Sequence, residues 1–238
     1  MVLNQFGIRL KCPFFLAAIQ PPYESCRHPL DIVFVVARST SDVVWDAMKQ
    51  FAVAIASSIA IGPNGANFGA ITFGSTAQSQ FFLNTFSNQA GVVAHLNSMV
   101  HPNRYQGYSL LSALQLLLSE QFILQNGDRL NACNVAIIII DCHSYMDQHE
   151  YNQIAAKLQE KGISLVPVGV DSGHNKESLS YGLQLMARPP KTRENNYYLV
   201  ERLTDFQGYV PTLITYICND CCVLPTQIPS TSTSKSYL

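Results

Sequence analysis

Two uninterrupted apolar runs limit what this chain can fold into more than any other feature of its sequence. The first is the segment 31–37, in which Asp31 is followed only by apolar residues, and the second is the segment 135–140. Both are rich in branched side chains. A strand with one wet face alternates apolar and polar residues, whereas a strand covered on both faces carries a continuous run. The two runs therefore predict central strands of a buried, parallel sheet.

Helical and hairpin patterns fill the sequence around these runs. The short turn between residues 68–73 and 80–83 predicts an antiparallel hairpin, and further strands are expected at 163–170 and 196–200. Because strands and helices otherwise alternate, we predict an α/β fold. It has a mostly parallel central sheet with one antiparallel edge strand and helices on both faces, as a Rossmann-like three-layer sandwich. Helical spacing predicts helices near 42–60, 88–99, 109–124, 148–160, 175–187 and 205–218.

Composition and charge restrict the functional classes. The 238 residues suffice for one large domain, and a formal net charge of −1 gives no long-range attraction for nucleic acid or an anionic membrane. No apolar segment approaches the roughly 20 residues of a membrane-spanning helix. We expect a signal peptide or a disordered N-terminus at 1–25, one domain at 26–222, and a flexible Ser/Thr/Pro-rich tail at 223–238.

Seven cysteines indicate an oxidising compartment, and hence a secreted or extracellular protein. The group Cys218, Cys221 and Cys222 fits a metal knuckle or disulfides, and disulfides are favoured because no second ligand pair stands at zinc-finger spacing. Cys133 and Cys142 lie at opposite ends of one predicted strand, roughly 30 Å apart at about 3.3 Å per residue, so they cannot bond to each other. Both are expected to be buried free thiols.

Enzymatic classes find little support in the motifs. The sequence has no Gly-x-Ser-x-Gly elbow, no His-Glu-x-x-His pair and no phosphate-binding glycine loop. Asp141, His143 and Ser144 are near neighbours in sequence, but neighbours on one loop do not usually aim at one another as members of a catalytic triad must. We therefore predict a protein that binds and does not catalyse.

The order of four segments resembles the von Willebrand factor type A and integrin I domain family. The similar segments are the strand at 31–37, the hairpin at 67–84, the loop and helix start at 107–114, and the strand at 135–141. The resemblance covers residues 29–222. The flanking cysteines are also similar to those of secreted nematode proteins that join such a domain to a C-type lectin domain.

The resemblance implies a disulfide and a metal-binding site. Because the two ends of the domain lie close together in this family, it implies a Cys26–Cys218 bridge, with Cys221 or Cys222 as alternatives. It also implies a metal-ion-dependent adhesion site. There, an Asp-x-Ser-x-Ser sequence, a threonine and an aspartate surround Mg²⁺, which prefers such hard oxygen ligands and takes a ligand carboxylate at its open position.

Four residues of this sequence supply the candidate metal ligands. Ser39 and Ser41 match the two serines of the family pattern, and Asp141 matches its last aspartate. Ser109 stands next to the threonine position, where a small register shift would let its hydroxyl substitute. On the resemblance alone, these side chains are expected to gather where the central strands end.

Four positions depart from the pattern. Ala37 stands where the first aspartate is expected, Tyr108 where threonine is expected and Cys142 where glycine is expected. Arg38 adds a positive charge, and a salt bridge from Arg38 to Asp141 is the arrangement that would replace the cation. Since one missing supporting partner typically costs about 10–100-fold in metal affinity, no cofactor is expected and Mg²⁺ is disfavoured.

The function predicted from the sequence is an extracellular adhesion module that binds a protein or glycan ligand through a degenerate site, without catalysis. The first alternative is a cation-dependent adhesion domain that uses Ser39, Ser41, Ser109 and Asp141. The second alternative is a structural or decayed domain without a ligand.

Overall fold

The structure, a computed structural model, describes residues 26–220 apart from positions 40, 102–107, 142–147, 172, 174–175, 189–190 and 194–195. The expectations for residues 1–25 and 223–238, and for Cys142, Cys221 and Cys222, lie outside the described residues. Across the described residues, strands and helices follow the order that the sequence predicts.

The described residues form one six-stranded sheet. Its strands are β1 (Leu30–Ala37), β2 (Ala66–Phe73), β3 (Ala77–Phe81), β4 (Cys133–Asp141), β5 (Ser164–Val170) and β6 (Tyr198–Val200). Their order across the sheet is β3-β2-β1-β4-β5-β6. Every neighbouring pair is parallel except β2 with β3, which form the hairpin at one edge. The predicted α/β class with one antiparallel edge strand is confirmed.

Helices cover this sheet on both sides. They are α1 (Asp42–Ser58), α2 (Gln89–Ser98), α3 (Leu110–Leu116), α4 (Gln148–Glu160), α5 (Lys176–Met186) and α6 (Phe206–Asn219). A π-helical segment, Leu117–Gln121, continues α3, so the helix predicted at 109–124 is shorter and changes its winding. No helix within the described ranges combines the length and the apolar character needed to cross a bilayer.

Both faces of the sheet are buried, as the apolar runs predict. On β1, Ile32, Phe34 and Val36 face a core that includes α1, α2 and α6, whereas Val33 and Val35 face a core that includes α3, α4 and α5. All five side chains are completely buried. Because each face has its own apolar cover, β1 has no position at which a polar residue would meet water.

A disulfide joins the two ends of the described chain. Cys26 precedes β1 and Cys218 lies in the last turn of α6, with their Cα atoms 4.4 Å apart, so the bridge implied by the family resemblance is confirmed. Cys133, at the start of β4, is also disulfide-bonded, and the expectation of a free thiol there is wrong. Burial indicated correctly that this sulfur is protected, but burial does not tell whether a sulfur is bonded.

The parallel strands end together along one side of the sheet, which we call the carboxyl edge. Ala37, Phe73 and Asp141 are the last residues of β1, β2 and β4 there. The turn at residues 74–76 between β2 and β3 lies at the same edge. In open α/β sheets, ligands bind at this edge, so the candidate site residues stand where the fold places binding sites.

Candidate functional site

Ser39 and Asp141 meet at the carboxyl edge. Ser39 follows β1, and Asp141 is the last residue of β4, the strand that pairs with β1. The Ser39 hydroxyl donates a hydrogen bond to Asp141 Oδ2 over 2.9 Å, and the two residues are 2% and 1% exposed. Two site positions that are 102 residues apart in sequence are therefore in direct contact.

Ser41 and Ser109 begin two helices at this edge. Ser41 is the N-cap of α1 and its Oγ accepts from the Val44 N–H at 3.5 Å. Ser109 is the N-cap of α3 and its Oγ accepts from the Ser112 N–H at 3.3 Å. An N-cap hydroxyl stabilises a helix by about 1 kcal/mol. Both serines thus have a structural role that needs no metal.

The altered positions leave the site short of charge. Ala37 is fully buried and shares an apolar cluster with Ile71 and Leu110, so a methyl group stands where the family pattern has a carboxylate. Tyr108, half-buried, directly precedes Ser109. Asp141 is therefore the one carboxylate of the family pattern that the described residues retain.

Arg38 turns away from Asp141. Its Nη2 donates to Gln78 Oε1 over 3.1 Å, on the far side of β2, and its stem lies over Gly74. Within the described residues Arg38 forms no ion pair with Asp141, and the salt bridge expected from the sequence is wrong. The direction of the side chain follows from the space that Gly74 leaves open.

The donors present here fit a tightly held Mg²⁺ poorly. Mg²⁺ demands near-octahedral oxygen coordination and draws on carboxylate charge. The Asp141 carboxylate already accepts a hydrogen bond from the Ser39 hydroxyl, and the described part of the chain contains no group of three or more His, Cys, Asp or Glu side chains suited to a metal. In this arrangement, the hydrogen bond from Ser39 to Asp141 holds the loop after β1 against the end of β4.

A contact that sequence reasoning missed lies beside this site. The His101 ring stacks on Trp45 with ring centroids 5.2 Å apart. Its nitrogens lie 2.7 Å from Asp42 Oδ1 and 2.6 Å from the Ser39 carbonyl oxygen. Both partners are oxygen acceptors, so each ring nitrogen of His101 faces one of them. The contact ties the Ser39 loop to α1. No sequence signal could have found it, because the partners are 59 and 62 residues from His101.

Comparison with known proteins finds a family match over most of the chain. A family model described as von Willebrand factor type A domain matches residues 31–211. Human collagen alpha-6(VI) chain is 27% identical over 205 residues, covering 83% of this chain and 8% of the collagen chain. Integrin alpha-1 of Gallus gallus is 24% identical over 165 residues, covering 68% and 56%. Human matrilin-3 is 26% identical over 205 residues, covering 83% and 40%. The chain thus spans only part of each relative.

Solved structures show the same fold. Proximal thread matrix protein 1 from the mussel byssus has a TM-score of 0.67 at 21% identity, covering 82% of this chain and 49% of that chain. Another structure of that mussel protein has zinc in its metal-ion-dependent adhesion site (MIDAS) motif. The manganese-loaded TRAP protein of Plasmodium vivax has a TM-score of 0.64 at 16% identity, covering 81% and 75%. At these identities the likeness establishes the fold alone.

Proposed function

The chain belongs to the von Willebrand factor type A domain family, and on that premise we propose that it is an extracellular adhesion module that holds its ligand without a divalent cation. The proposal has two parts, an adhesion role and a metal-independent site. Each part rests on different observations and has its own test.

The adhesion role is supported by the relatives and by the redox chemistry. Collagen VI, matrilins and integrins are proteins of the extracellular matrix and of cell adhesion, and this chain resembles one portion of each. The Cys26–Cys218 bridge and the bonded Cys133 suit an oxidising compartment. The ligand of this chain is proposed to be a protein of that same environment.

The metal-independent site is carried by the hydrogen bond between Ser39 and Asp141. Where a cation would recruit both side chains, the hydroxyl proton instead neutralises part of the field of the carboxylate over 2.9 Å. The buried methyl of Ala37 supplies no second negative charge. Because each lost partner weakens metal binding by about 10–100-fold, we expect a dissociation constant for Mg²⁺ above about 1 mM.

Trp45 makes metal binding measurable, because it is the one tryptophan of the chain. It is 2% exposed and stacks on His101, whose ring contacts the Ser39 loop. A cation that drew in Ser39 would disturb that contact and change the Trp45 emission. Titration of the purified protein with Mg²⁺ and Mn²⁺ is expected to leave the emission unchanged up to millimolar concentrations.

Ala37→Asp provides the positive control for this titration, and Ala37→Asn controls for the added bulk. Restoring the carboxylate should produce a saturable change of the Trp45 emission with Mn²⁺ that the asparagine variant lacks. A saturable response of the unaltered protein below about 1 mM metal would show a working site and refute the metal-independent proposal.

The adhesion role is tested by solid-phase binding to a panel of purified extracellular matrix proteins, in EDTA and in Mg²⁺. We expect saturable binding to at least one matrix protein, with equal affinity in both buffers. Binding that disappears in EDTA would favour the cation-dependent alternative, and binding to none of the panel in either buffer would count against the adhesion role.

A further inference from the structure

A separate polar cleft of about 320 Å³ lies at the carboxyl edge, on the β3 side of the candidate site. We call it the Arg38 cleft. Its walls come from β2, β3, the end of α2 and the residue after β1, and among the described residues no carboxylate lines it. The polar lining residues are Arg38, Thr72, Gln78, Gln80, His95 and Ser98.

Arg38 brings an uncompensated charge to this cleft. Burial lowers the pKa of Arg38, and no carboxylate among the described residues acts in the opposite direction. Its Nε is buried and has no hydrogen-bond partner in the described part of the chain. A half-buried guanidinium without a counter-ion is unfavourable, and an anion that pairs with its accessible terminal nitrogens would supply the missing charge.

The terminal nitrogens of Arg38 are within reach of a ligand. The bond from Nη2 to Gln78 Oε1 is solvent-exposed. Guanidinium groups pair with carboxylates through parallel N–H donors, and such charge-assisted bonds are among the stronger hydrogen bonds in proteins. The neighbouring Gln78 amide also carries N–H donors. The polar wall of the cleft is therefore suited to a single small anion.

Gly74 makes room for the arginine side chain. A Cβ atom at position 74 would lie 2.8 Å from Arg38 Cδ, closer than such atoms approach one another. Any residue with a side chain would therefore push Arg38 out of its present position. Gly74→Ala thus displaces the guanidinium without removing its charge.

We propose that the Arg38 cleft binds the side-chain carboxylate of an aspartate or glutamate on the protein partner. This inference rests on the proposed function, because it specifies how a cation-independent adhesion module holds its ligand. The guanidinium recognises the carboxylate directly, on the opposite side of β1 from Asp141.

An acidic protein side chain suits this cleft better than an acidic glycan. Sulfated and uronic polymers bind through several cations spread over a surface, whereas Arg38 is the one arginine or lysine that lines the cleft within the part of the chain that the structure describes. Val100, which also lines the cleft, is 82% exposed. An exposed apolar side chain beside a charged pocket matches the mixed surface of a protein partner.

The direct test follows the side-chain Nε–H resonance of Arg38 in ¹⁵N-labelled protein, in EDTA. The probe is N-acetyl-glutamate N-methylamide, and the corresponding glutamine derivative is the uncharged control. We expect the glutamate probe to shift this resonance saturably, with a dissociation constant on the order of 1 mM for so small a molecule. The glutamine derivative should leave it in place.

Four variants separate recognition from folding, and the backbone amide resonance of Gln78, which contacts Arg38, follows the probe in each of them. Arg38→Gln and Gly74→Ala should weaken binding of the probe by about 10-fold or more, and Arg38→Lys should recover part of it. Arg27→Gln, the same change at an exposed arginine at the other end of β1, should bind the probe as the unaltered protein does. Unchanged Trp45 emission in each variant reports that the fold is intact.

Two outcomes would overturn the inference. One is a resonance that stays in place throughout the glutamate titration, or probe binding that Arg38→Gln leaves intact. The other is a shift caused by a heparin fragment and not by the glutamate probe, which would assign the cleft to an acidic glycan. Either result with EDTA-resistant matrix binding refutes the Arg38 cleft alone, whereas EDTA-sensitive matrix binding refutes the proposed function.

Discussion

The ion pair of Asp31 and Arg129 is buried at the end of β1 that lies away from the candidate site. Asp31 is completely buried, and it accepts hydrogen bonds from the backbone N–H and from Nε of Arg129, at 2.7 and 2.8 Å. The guanidinium thereby joins β1, the turn before β2 and the segment before β4. It also donates to the carbonyl groups of Leu30, Gly62, Pro63 and Gly65.

The pH dependence of this pair follows from its burial. Burial raises the pKa of Asp31 to about 6 from an ordinary value of 3.8, while Arg129 acts to lower it. Because the folded state then holds the proton more tightly than the unfolded state, the free energy of unfolding falls as the pH rises from about 4 to about 6. Above that range the charged carboxylate depends on Arg129.

Replacing Arg129 by methionine should therefore destabilise the protein most at neutral pH. We expect the free energy of unfolding to fall by about 3–5 kcal/mol at pH 7, the usual effect of stranding a buried charge. The loss should be smaller at pH 5, where protonation of Asp31 removes that charge. Urea unfolding at the two pH values measures the difference.

Arg202→Met serves as the matched control, since Arg202 forms an exposed pair with Asp205 three residues along the chain. It should change stability little at either pH. Equal losses for Arg129→Met at both pH values would mean that lost packing and carbonyl bonds, and not charge, explain the effect.

The residue-scale site was predictable only in part. Ser39 and Asp141 each follow an apolar strand, so the rule that parallel strands end together was enough to bring them close. The direction in which the Arg38 side chain points was not predictable, because it depends on Gly74 and Gln78 in the β2–β3 hairpin. The sequence around Arg38 therefore does not show the space above Gly74 or the acceptor on Gln78, because both lie in a distant segment of the chain.

The strands and helices themselves were largely readable from the sequence. Continuous apolar runs identified β1 and β4, and periodic spacing identified the helices. Burial on one or two faces of an element determines which of its positions are apolar, so the pattern is visible in the sequence. The π-helical segment after α3 leaves no such mark. It delivers Gln121, which is completely buried, to the edge strand β3, where its Nε2 donates to the Ser79 hydroxyl and the Phe81 carbonyl.

The contact between Gln121 and β3 requires a residue without a side chain at position 69, on the neighbouring strand β2. A Cβ atom there would lie 2.4 Å from Gln121 Oε1, so Gly69→Ala should push the amide off β3 and lower the free energy of unfolding by about 1–3 kcal/mol. Adding Gln121→Ala removes the clash, and the two losses should be less than additive in a double-mutant cycle. Strictly additive losses would show that position 69 acts independently of Gln121.

At the scale of the whole molecule, the Cys26–Cys218 bridge closes a separation of 192 residues. Changing both cysteines to serine should lower the free energy of unfolding by about 2–5 kcal/mol, mainly by freeing the unfolded chain. Urea unfolding measures this loss. Matrix binding should remain as it is, since the carboxyl edge lies at the far end of β1. Lost binding in a variant that still folds would place part of the ligand surface near the bridge.

The same bridge determines how a load would pass through a longer polypeptide that contains this domain. Flanking segments would enter and leave side by side, at Cα atoms 4.4 Å apart. Tension along such a chain would pass through the sulfur atoms of this bridge, the tether, and the bond at Cys133 would be the second point at which load reaches the sheet, at the same end as the tether. The Arg38 cleft, an eight-residue strand or roughly 25 Å from the tether, would keep its shape while the chain is stretched.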